Sequence, residues 1–345
     1  PHLLVIPAVG ATAARLAVEA SAARRGWPTA TGPADADIIV VAGSPSPELA
    51  AVIGRVWQQV PKPRVRVVVS DALDVDRNLD AAVTRLADRE YQQAPSHSSH
   101  TSYEEHDGHE GAGGDDGHGG SHMDHGRHGH HGHHDHGGGM VAGLPMADLG
   151  EDRDGLNLDR LHVPLGPVLP DWPAGLVVQV TLQGDVIQEA SAQVLGNGPA
   201  VSFEWSSAAA RELDGLARLL GVAGWPSAAG CARGLRDEVL AAGSSEEIAR
   251  AAAALVRRVR RSRTLRWLVR GIPAGAADVA TVLGQRLTAV ESAVGSGSPV
   301  SSARAAVEEL PGLLVGAELA AARLIVAALD PDTEQVRVRK EVRRG

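Results

Sequence analysis

Cysteine is nearly absent from this chain of 345 residues, which contains only Cys231. A single cysteine excludes an internal disulfide, and it cannot by itself supply the four thiolates of a structural zinc site or an iron–sulfur cluster. Lysine is scarce as well, because only Lys62 and Lys340 are lysines among 33 basic residues. Together with abundant alanine and glycine, this composition is typical of a GC-rich, actinobacterial-like bacterial genome.

Long apolar runs are also missing. No uninterrupted run approaches the roughly 18–20 residues that a membrane-spanning helix needs. Residues 1–14 lack the basic start and the cleavage site of a signal peptide. These absences and the lack of disulfides favour a cytoplasmic protein.

Histidine, in contrast, is concentrated in one place, since 13 of the 15 histidines lie between His97 and His136. The segment 96–139 also holds 13 glycines, eight acidic residues and one basic residue, so it carries −7 of the formal net charge of −9. A segment with so little apolar surface is expected to be a disordered linker. The rest of the chain is nearly neutral and its arginine runs have no interleaved aromatic residues, so nucleic acid is not an expected partner.

The histidine tract is a possible nickel or zinc site. Imidazole and nearby carboxylate groups suit these metals, and binding would require neutral rings with an ordinary pKa of about 6.5. The alternative interpretation is a solvated linker whose histidine codons expanded as a repeat. The candidate ligands are His125, His128, His130, His131, His133, His134 and His136.

Residues 1–90 have the pattern of an α/β domain. The continuous apolar runs at 37–42 and 65–69 are typical of strands buried on both faces. Between them, Ser46 and Pro47 form a helix start, with the serine as N-cap and the proline in the first turn. Strand, helix and strand in this order predict a doubly wound parallel sheet.

We place the linker at 91–140. The sequence after it predicts an α+β domain. Residues 141–205 are expected to be β-structure, with a hairpin turning at Gln183-Gly184. Residues 206–330 are expected to form a helical bundle, and 331–345 a charged tail. The helices are predicted at 208–220, 228–242, 245–268, 276–292 and 303–329.

Three segments of the first half resemble the small subunit of respiratory complex I that carries the terminal iron–sulfur cluster. They are 33–45 (PADADIIVVAGSP), 57–64 (WQQVPKPR) and 67–72 (VVVSDA). That family has a strand ending in VAG, a helix, QMPEPR, a strand and then GSCA. It shares its fold with the small subunit of nickel–iron hydrogenases.

Residues 165–170 and 176–187 resemble the beginning of the large subunit of complex I, where a GPQHP…HG loop enters a β-hairpin. The chain is therefore similar to a fusion of the two subunits through the histidine tract. The resemblance implies that its partners are membrane subunits of a complex I-like or antiporter-like assembly. It also implies a peripheral location on the cytoplasmic side of the membrane.

The departures from these families concern the residues that carry their chemistry. Where the resemblance expects cluster cysteines, the chain has Gly10 and Ala11 in the first loop and Ser70 and Asp71 in the second, and where it expects the quinone-facing histidine, the chain has Leu169 before Pro170. Iron in a cluster is held by thiolates. We therefore expect no cofactor, no small-molecule substrate and a non-catalytic docking role. Two alternatives stay open: a nickel- or zinc-handling protein, and a quinone- or ligand-binding oxidoreductase subunit that uses clusters of a partner.

A dense group of arginines in the helical half is a candidate partner-binding surface. It could contact an acidic partner or anionic lipid headgroups. The alternative is one solvated helix face, because apolar residues alternate with the arginines. The group consists of Arg257, Arg258, Arg260, Arg261, Arg263 and Arg266, followed by Arg270.

Overall fold

A computed structural model describes residues 1–93, 140–141, 144–145, 148–151, 157–196, 203–296 and 304–334. By contacts the chain divides into two compact units: 1–92 together with 148–345, and 93–147. The second unit contains an antiparallel pair, β4 (Met140–Val141) with β5 (Leu144–Pro145). The two ends of the linker predicted at 91–140 are ordered elements, because residues 91–93 belong to the helix Arg89–Gln93 and Met140 belongs to β4. The rest of the predicted linker, 94–139, and the candidate histidines within it lie outside the described residues.

The first part of the large unit is a three-stranded parallel sheet with helices. The strand order is β1-β2-β3, with Leu3 opposite Ile38 and Ile38 opposite Val65. The elements are β1 (Leu3–Pro7), α1 (Thr12–Arg24), β2 (Ile38–Ala42), α2 (Pro47–Gln59), β3 (Val65–Val69), α3 (Val75–Ala87) and α4 (Arg89–Gln93).

Strand β2 is buried along its whole length, as its continuous apolar sequence predicts. Ile38 packs in one apolar cluster with Leu79 of α3, whereas Ile39 packs in another with Leu49 of α2. The start of α2 is as expected, because the Ser46 hydroxyl accepts a hydrogen bond of 3.2 Å from the Leu49 backbone N–H. Because alternate residues of a strand point to opposite faces, helices pack against both faces of this sheet.

The second part of the large unit combines an antiparallel sheet with a helical region. Its sheet has the order β6-β7-β8-β9, and the turn between the last two strands uses Gly184 at a φ of +63°. The elements are β6 (Asp148–Glu151), β7 (Asn157–Leu165), β8 (Leu176–Gln183), β9 (Val186–Val194), α5 (Ala208–Val222), α6 (Pro226–Ala242), α7 (Glu246–Arg261), α8 (Arg263–Val269), β10 (Pro273–Ala274), β11 (Ala277–Asp278), α9 (Val279–Ser296), α10 (Leu310–Leu314) and α11 (Leu319–Leu329). The chain thus has a mixed α/β architecture.

Two of the predicted helices are interrupted. The helix expected at 245–268 breaks at Ser262, whose hydroxyl accepts from the Leu265 N–H and begins a second helix. The helix expected at 303–329 is replaced by α10 and α11 because the chain between them runs extended beside β9. There Gly316 N–H donates to the Ile187 carbonyl, and Ile187 N–H donates to the Ala317 carbonyl. A sheet-edge partner satisfies this backbone, which local helical propensity does not reveal.

None of the helices in the described part of the chain is long and apolar enough to cross a bilayer.

Candidate functional site

A cavity of about 290 Å³ lies between the parallel-sheet part and the helical part of the large unit. Its wall is formed by β1 and α1 on one side, and by the loop after β7, helices α5 and α6 and the segment after α11 on the other. Its charged lining consists of Arg15, Glu19, Asp171, Arg211, Arg218, Arg233, Arg304, Asp332 and Glu334.

The structure brings together two loops that the resemblance assigns to cofactors. After the resemblance, we call the loops at Gly10–Ala11 and Ser70–Asp71 the first and second cluster-type loops, and residues 166–175 the quinone-type loop. Thr12, just after the first of these, lines the same cavity as Leu169 and Pro170. The loops also touch directly, because a Cβ atom on Gly175 would lie 2.7 Å from the Val9 Cγ2 atom. Gly175 has a φ of +67°, so a glycine is favoured there by both space and backbone conformation.

The quinone-type loop is held by its own tryptophan. The Trp172 indole N–H donates a hydrogen bond of 2.8 Å to the Leu176 carbonyl. Gly166, at a φ of +84°, begins this loop, and a side chain there would collide with both of these atoms. The Trp172 hydrogen bond and the close approach at Gly166 therefore fix the conformation of this loop, and no histidine takes part in it.

The cluster-type loops are built as ordinary turns. Gly10 is exposed at a φ of +82°, and Ala11 is buried in contact distance of Gly43. Ser70 and Asp71 are exposed at the end of β3, and the Asp71 carboxylate accepts a hydrogen bond of 2.9 Å from the Leu73 N–H. No thiol is present at any of these positions, so these residues do not fit an iron–sulfur cluster.

Asp214 is the centre of a buried ion-pair network next to the cavity. Arg15 of α1 binds both of its oxygens, with distances of 3.1 and 2.9 Å. Arg236 of α6 contacts Asp214 Oδ1 at 2.7 Å, and Arg218 contacts Oδ2 at 3.1 Å. The side chains of Asp214 and Arg236 are 1% and 0% exposed. We call the full set the seam network; it comprises Arg15, Glu19, Asp171, Asp214, Arg218, Arg233, Arg236, Asp237, Arg286, Arg304 and Asp330.

Glu19 ties the first half of the chain to the second. Its carboxylate contacts Arg15 at 2.9 Å on its own helix and Arg236 at 2.7 Å across the seam. Arg233, one turn earlier on α6, lies 3.9 Å from Glu19 and pairs with Asp171 of the quinone-type loop. One helix of the bundle therefore holds both the α/β part and the loop in place.

Asp330 is a second carboxylate centre of the network. It ends α11 in the left-handed conformation with a φ of +46°. Its oxygens lie 2.6 Å from Arg218 and 2.7 Å from Arg304. Arg286 of α9 is fully buried beside it and donates to the Ala328 carbonyl at 3.0 Å. This centre joins three helices of the bundle.

The carboxylates at the centres of this network are held in the charged form. Burial by itself would raise the pKa of Glu19, but Arg15, Arg236 and Arg233 outweigh it and lower that pKa to about 2. The same competition, won by neighbouring arginines, holds the pKa of Asp214 well below its ordinary value and lowers that of Asp330. These groups are therefore not suited to exchange a proton near neutral pH.

Two cavity groups behave differently. Burial outweighs the attraction of Arg233 and raises the pKa of Asp171. Burial, with the nearby charge of Arg304, lowers the pKa of Arg211. Within the described ranges Arg211 forms no ion pair, and its Nε–H has no acceptor. The other arginines of the wall form ion pairs, so within the described ranges Arg211 is the wall arginine left without one.

The arginines of the predicted partner-binding surface are all exposed, and the structure separates them from the cavity lining. The candidate histidines lie outside the described residues. Among the residues that the structure does describe, no group of three or more histidine, cysteine or acidic side chains could hold a metal ion.

Sequence reasoning missed the seam network. One signal was present in the sequence. Asp214 and Arg218 lie four residues apart on α5, and most other residues of that helix are apolar and buried. Charges at this spacing usually indicate a solvated helix face. Only the packing of α1 and α6 against α5 shows that they are buried.

Comparisons of the chain with protein-family models, with curated proteins and with solved structures found no match.

Proposed function

We propose that the chain is a non-catalytic peripheral subunit of a complex I-like or hydrogenase-like membrane assembly. It would dock on the ion-translocating membrane subunits from the cytoplasmic side. The observation that carries this proposal is the seam: the parts of the chain that resemble the small and large subunits pack together, and their cofactor-type loops meet at one cavity. Within the same proposal, the parallel sheet corresponds to a doubly wound core.

The non-catalytic part of the proposal rests on what occupies the meeting point of the loops. Gly10, Ala11 and Asp71 serve turns and contacts, and Leu169 and Pro170 stand where the resemblance expects an imidazole. The adjacent carboxylates are satisfied by arginines and remain charged. In this proposal the chain would keep the arrangement of a redox pair of subunits without their cofactors, and ion pairs would stabilise the seam between the two halves.

The deciding experiment is purification of the tagged full chain from detergent-solubilised membranes of its own host, with identification of the bound proteins. We expect antiporter-like membrane subunits to be recovered. Deleting residues 97–136 should leave this association intact, which distinguishes docking by the folded unit from capture through the histidine tract. Recovery of the chain without membrane partners would contradict the proposal.

A second experiment tests the fusion. Inserting the recognition sequence of a site-specific protease at Arg127, within the histidine tract, allows a single cleavage between the two halves. We expect the two fragments to remain associated because Arg15 and Glu19 pair with Asp214 and Arg236 across the seam. Separation of the fragments at neutral pH would show that the seam does not hold the halves together.

The cavity supports a second candidate function, the binding of a small quinone-like or anionic ligand beside Leu169 and Arg211. Thermal stabilisation by a quinone or a carboxylate that is lost in Arg211→Gln would favour it.

The proposal that the histidine tract buffers nickel or zinc is tested separately, by metal titration of the full chain against the 97–136 deletion.

A further inference from the structure

The surface formed by α7 and α8 carries a high density of positive charge. Residues 248–277 contain eight arginines and no acidic residue, in a chain whose formal net charge is −9. The two helices meet at Ser262, where the first ends and the second begins, and both pack against α9. This surface is therefore positively charged although the chain as a whole is negatively charged, and it is expected to attract anions.

The packing of these helices turns their arginines outward. Leu255, Val259 and Leu265 are buried, whereas the arginines between them are exposed. Two arginines have internal partners: Arg260 pairs with Glu291 at 2.9 Å, and Arg258 lies 5.1 Å from the centre of the Trp225 ring. In the described part of the chain, no ion pair is formed by Arg257, Arg261, Arg263, Arg266 or Arg270.

An exposed tryptophan stands among these arginines. Trp267 is 80% exposed, and Leu268 beside it is 38% exposed. An indole with an apolar body and a polar N–H is suited to the boundary between lipid headgroups and acyl chains. Arginine stems also cover apolar surface while their heads stay in water.

We propose that this cationic face, defined by Arg257, Arg261, Arg263, Arg266 and Trp267, binds an anionic phospholipid surface. Clustered arginines are attracted to acidic headgroups, and an adjacent aromatic residue adds insertion at the boundary. A single-stranded nucleic acid, by contrast, is bound by several stacking aromatics, and this face has one. The inference is independent of the assembly proposed above because it requires lipid alone.

The test is sedimentation of the full chain with vesicles of phosphatidylcholine, with or without about one third phosphatidylglycerol. Chelator and a pH of about 8 keep the histidines neutral and metal-free. We expect binding to the anionic vesicles only, and weaker binding as salt rises. The triple variant Arg261→Gln, Arg263→Gln, Arg266→Gln should bind about 100-fold more weakly, at about fivefold for each arginine near the surface.

The matched control removes three other exposed arginines, in Arg55→Gln, Arg85→Gln, Arg89→Gln, and should bind as the parent does. Circular dichroism checks that both variants fold. Lipids brominated in the acyl chain should quench part of the emission of the parent, and that part should be missing in Trp267→Phe. Equal binding to neutral vesicles, equal binding of the two triple variants, or tighter binding to an oligonucleotide or to polyglutamate would overturn the proposal.

Discussion

Arginine has two opposite roles in this molecule. In the seam network, Arg236 is fully buried and Arg15 is largely buried, and both bind carboxylates from other parts of the chain. On the cationic face, Arg261 and Arg266 are exposed and, among the described residues, have no carboxylate partner. The first group holds the folded unit together, and the second is available to something outside it.

The difference follows from the cost of removing a charge from water. A buried guanidinium is tolerated only when carboxylates and carbonyls replace its hydration, so the seam arginines surround Asp214 and Asp330. An exposed guanidinium stays hydrated and needs no partner. The same substitution should therefore have large effects at the seam and small effects on the cationic face.

The largest effect is expected for Asp214→Asn. This change leaves Arg15 and Arg236 buried with only part of their countercharge, and breaking a buried pair in this way costs about 3–5 kcal/mol. Denaturant unfolding of the full chain measures the loss. The control is Asp159→Asn, an exposed aspartate that should change stability by less than about 0.5 kcal/mol. Equal effects of the two changes would contradict a stabilising seam.

The pH dependence of stability is the next test. Because folding lowers the pKa of Glu19 from 4.5 to about 2, its contribution is complete above about pH 4.5 and is lost as pH falls towards about 2. The shift corresponds to about 3 kcal/mol. Glu19→Gln should thus be less stable than the parent at neutral pH, and the difference should shrink over this window. A difference that is constant with pH would show that the ion pairs of Glu19 contribute little.

Close packing at the second carboxylate centre gives a smaller effect. A Cβ atom at Gly215 would collide with the Arg286 guanidinium, whereas a Cβ atom at Gly234 meets nothing within 4 Å. Gly215→Ala should destabilise the chain by about 1–3 kcal/mol through overpacking. Gly234→Ala, also within a helix, should be neutral or stabilising because alanine favours the helix. Thermal unfolding of both variants compares the two sites, and a stabilising effect of Gly215→Ala would contradict the close contact between Gly215 and Arg286.

The smallest effect is expected on the cationic face. The variant Arg261→Gln, Arg263→Gln, Arg266→Gln removes charges that have no ion-pair partner among the described residues, so stability should change by no more than about 0.5 kcal/mol. Removal of like charges close together acts in the stabilising direction. A loss comparable to that of Asp214→Asn would mean that these arginines are structural and would remove the contrast with the seam.

Local signals predicted much of the element order. The buried strand at Ile38–Ala42 follows from its uninterrupted apolar sequence, and the start of α2 follows from Ser46 before Pro47. The break at Ser262 and the extended chain at Gly316 were not predicted, because a capping hydroxyl and a distant strand satisfy the backbone there. The resemblance placed cofactor-type loops at Gly10 and Leu169, and the cavity between the halves was not foreseen.

The sequence by itself determined the scarcity of thiolates, the concentration of histidine and the high density of arginine along 248–277. Composition and local order carry those properties whatever the fold. Only the tertiary structure decided which charges are paired, since Arg15 and Asp214 lie 199 residues apart and meet because α1 packs beside the bundle. Burial of that contact removes water from the two charges, so they must pair with each other. At Trp267 no such burial occurs, and the surface stays accessible to a partner.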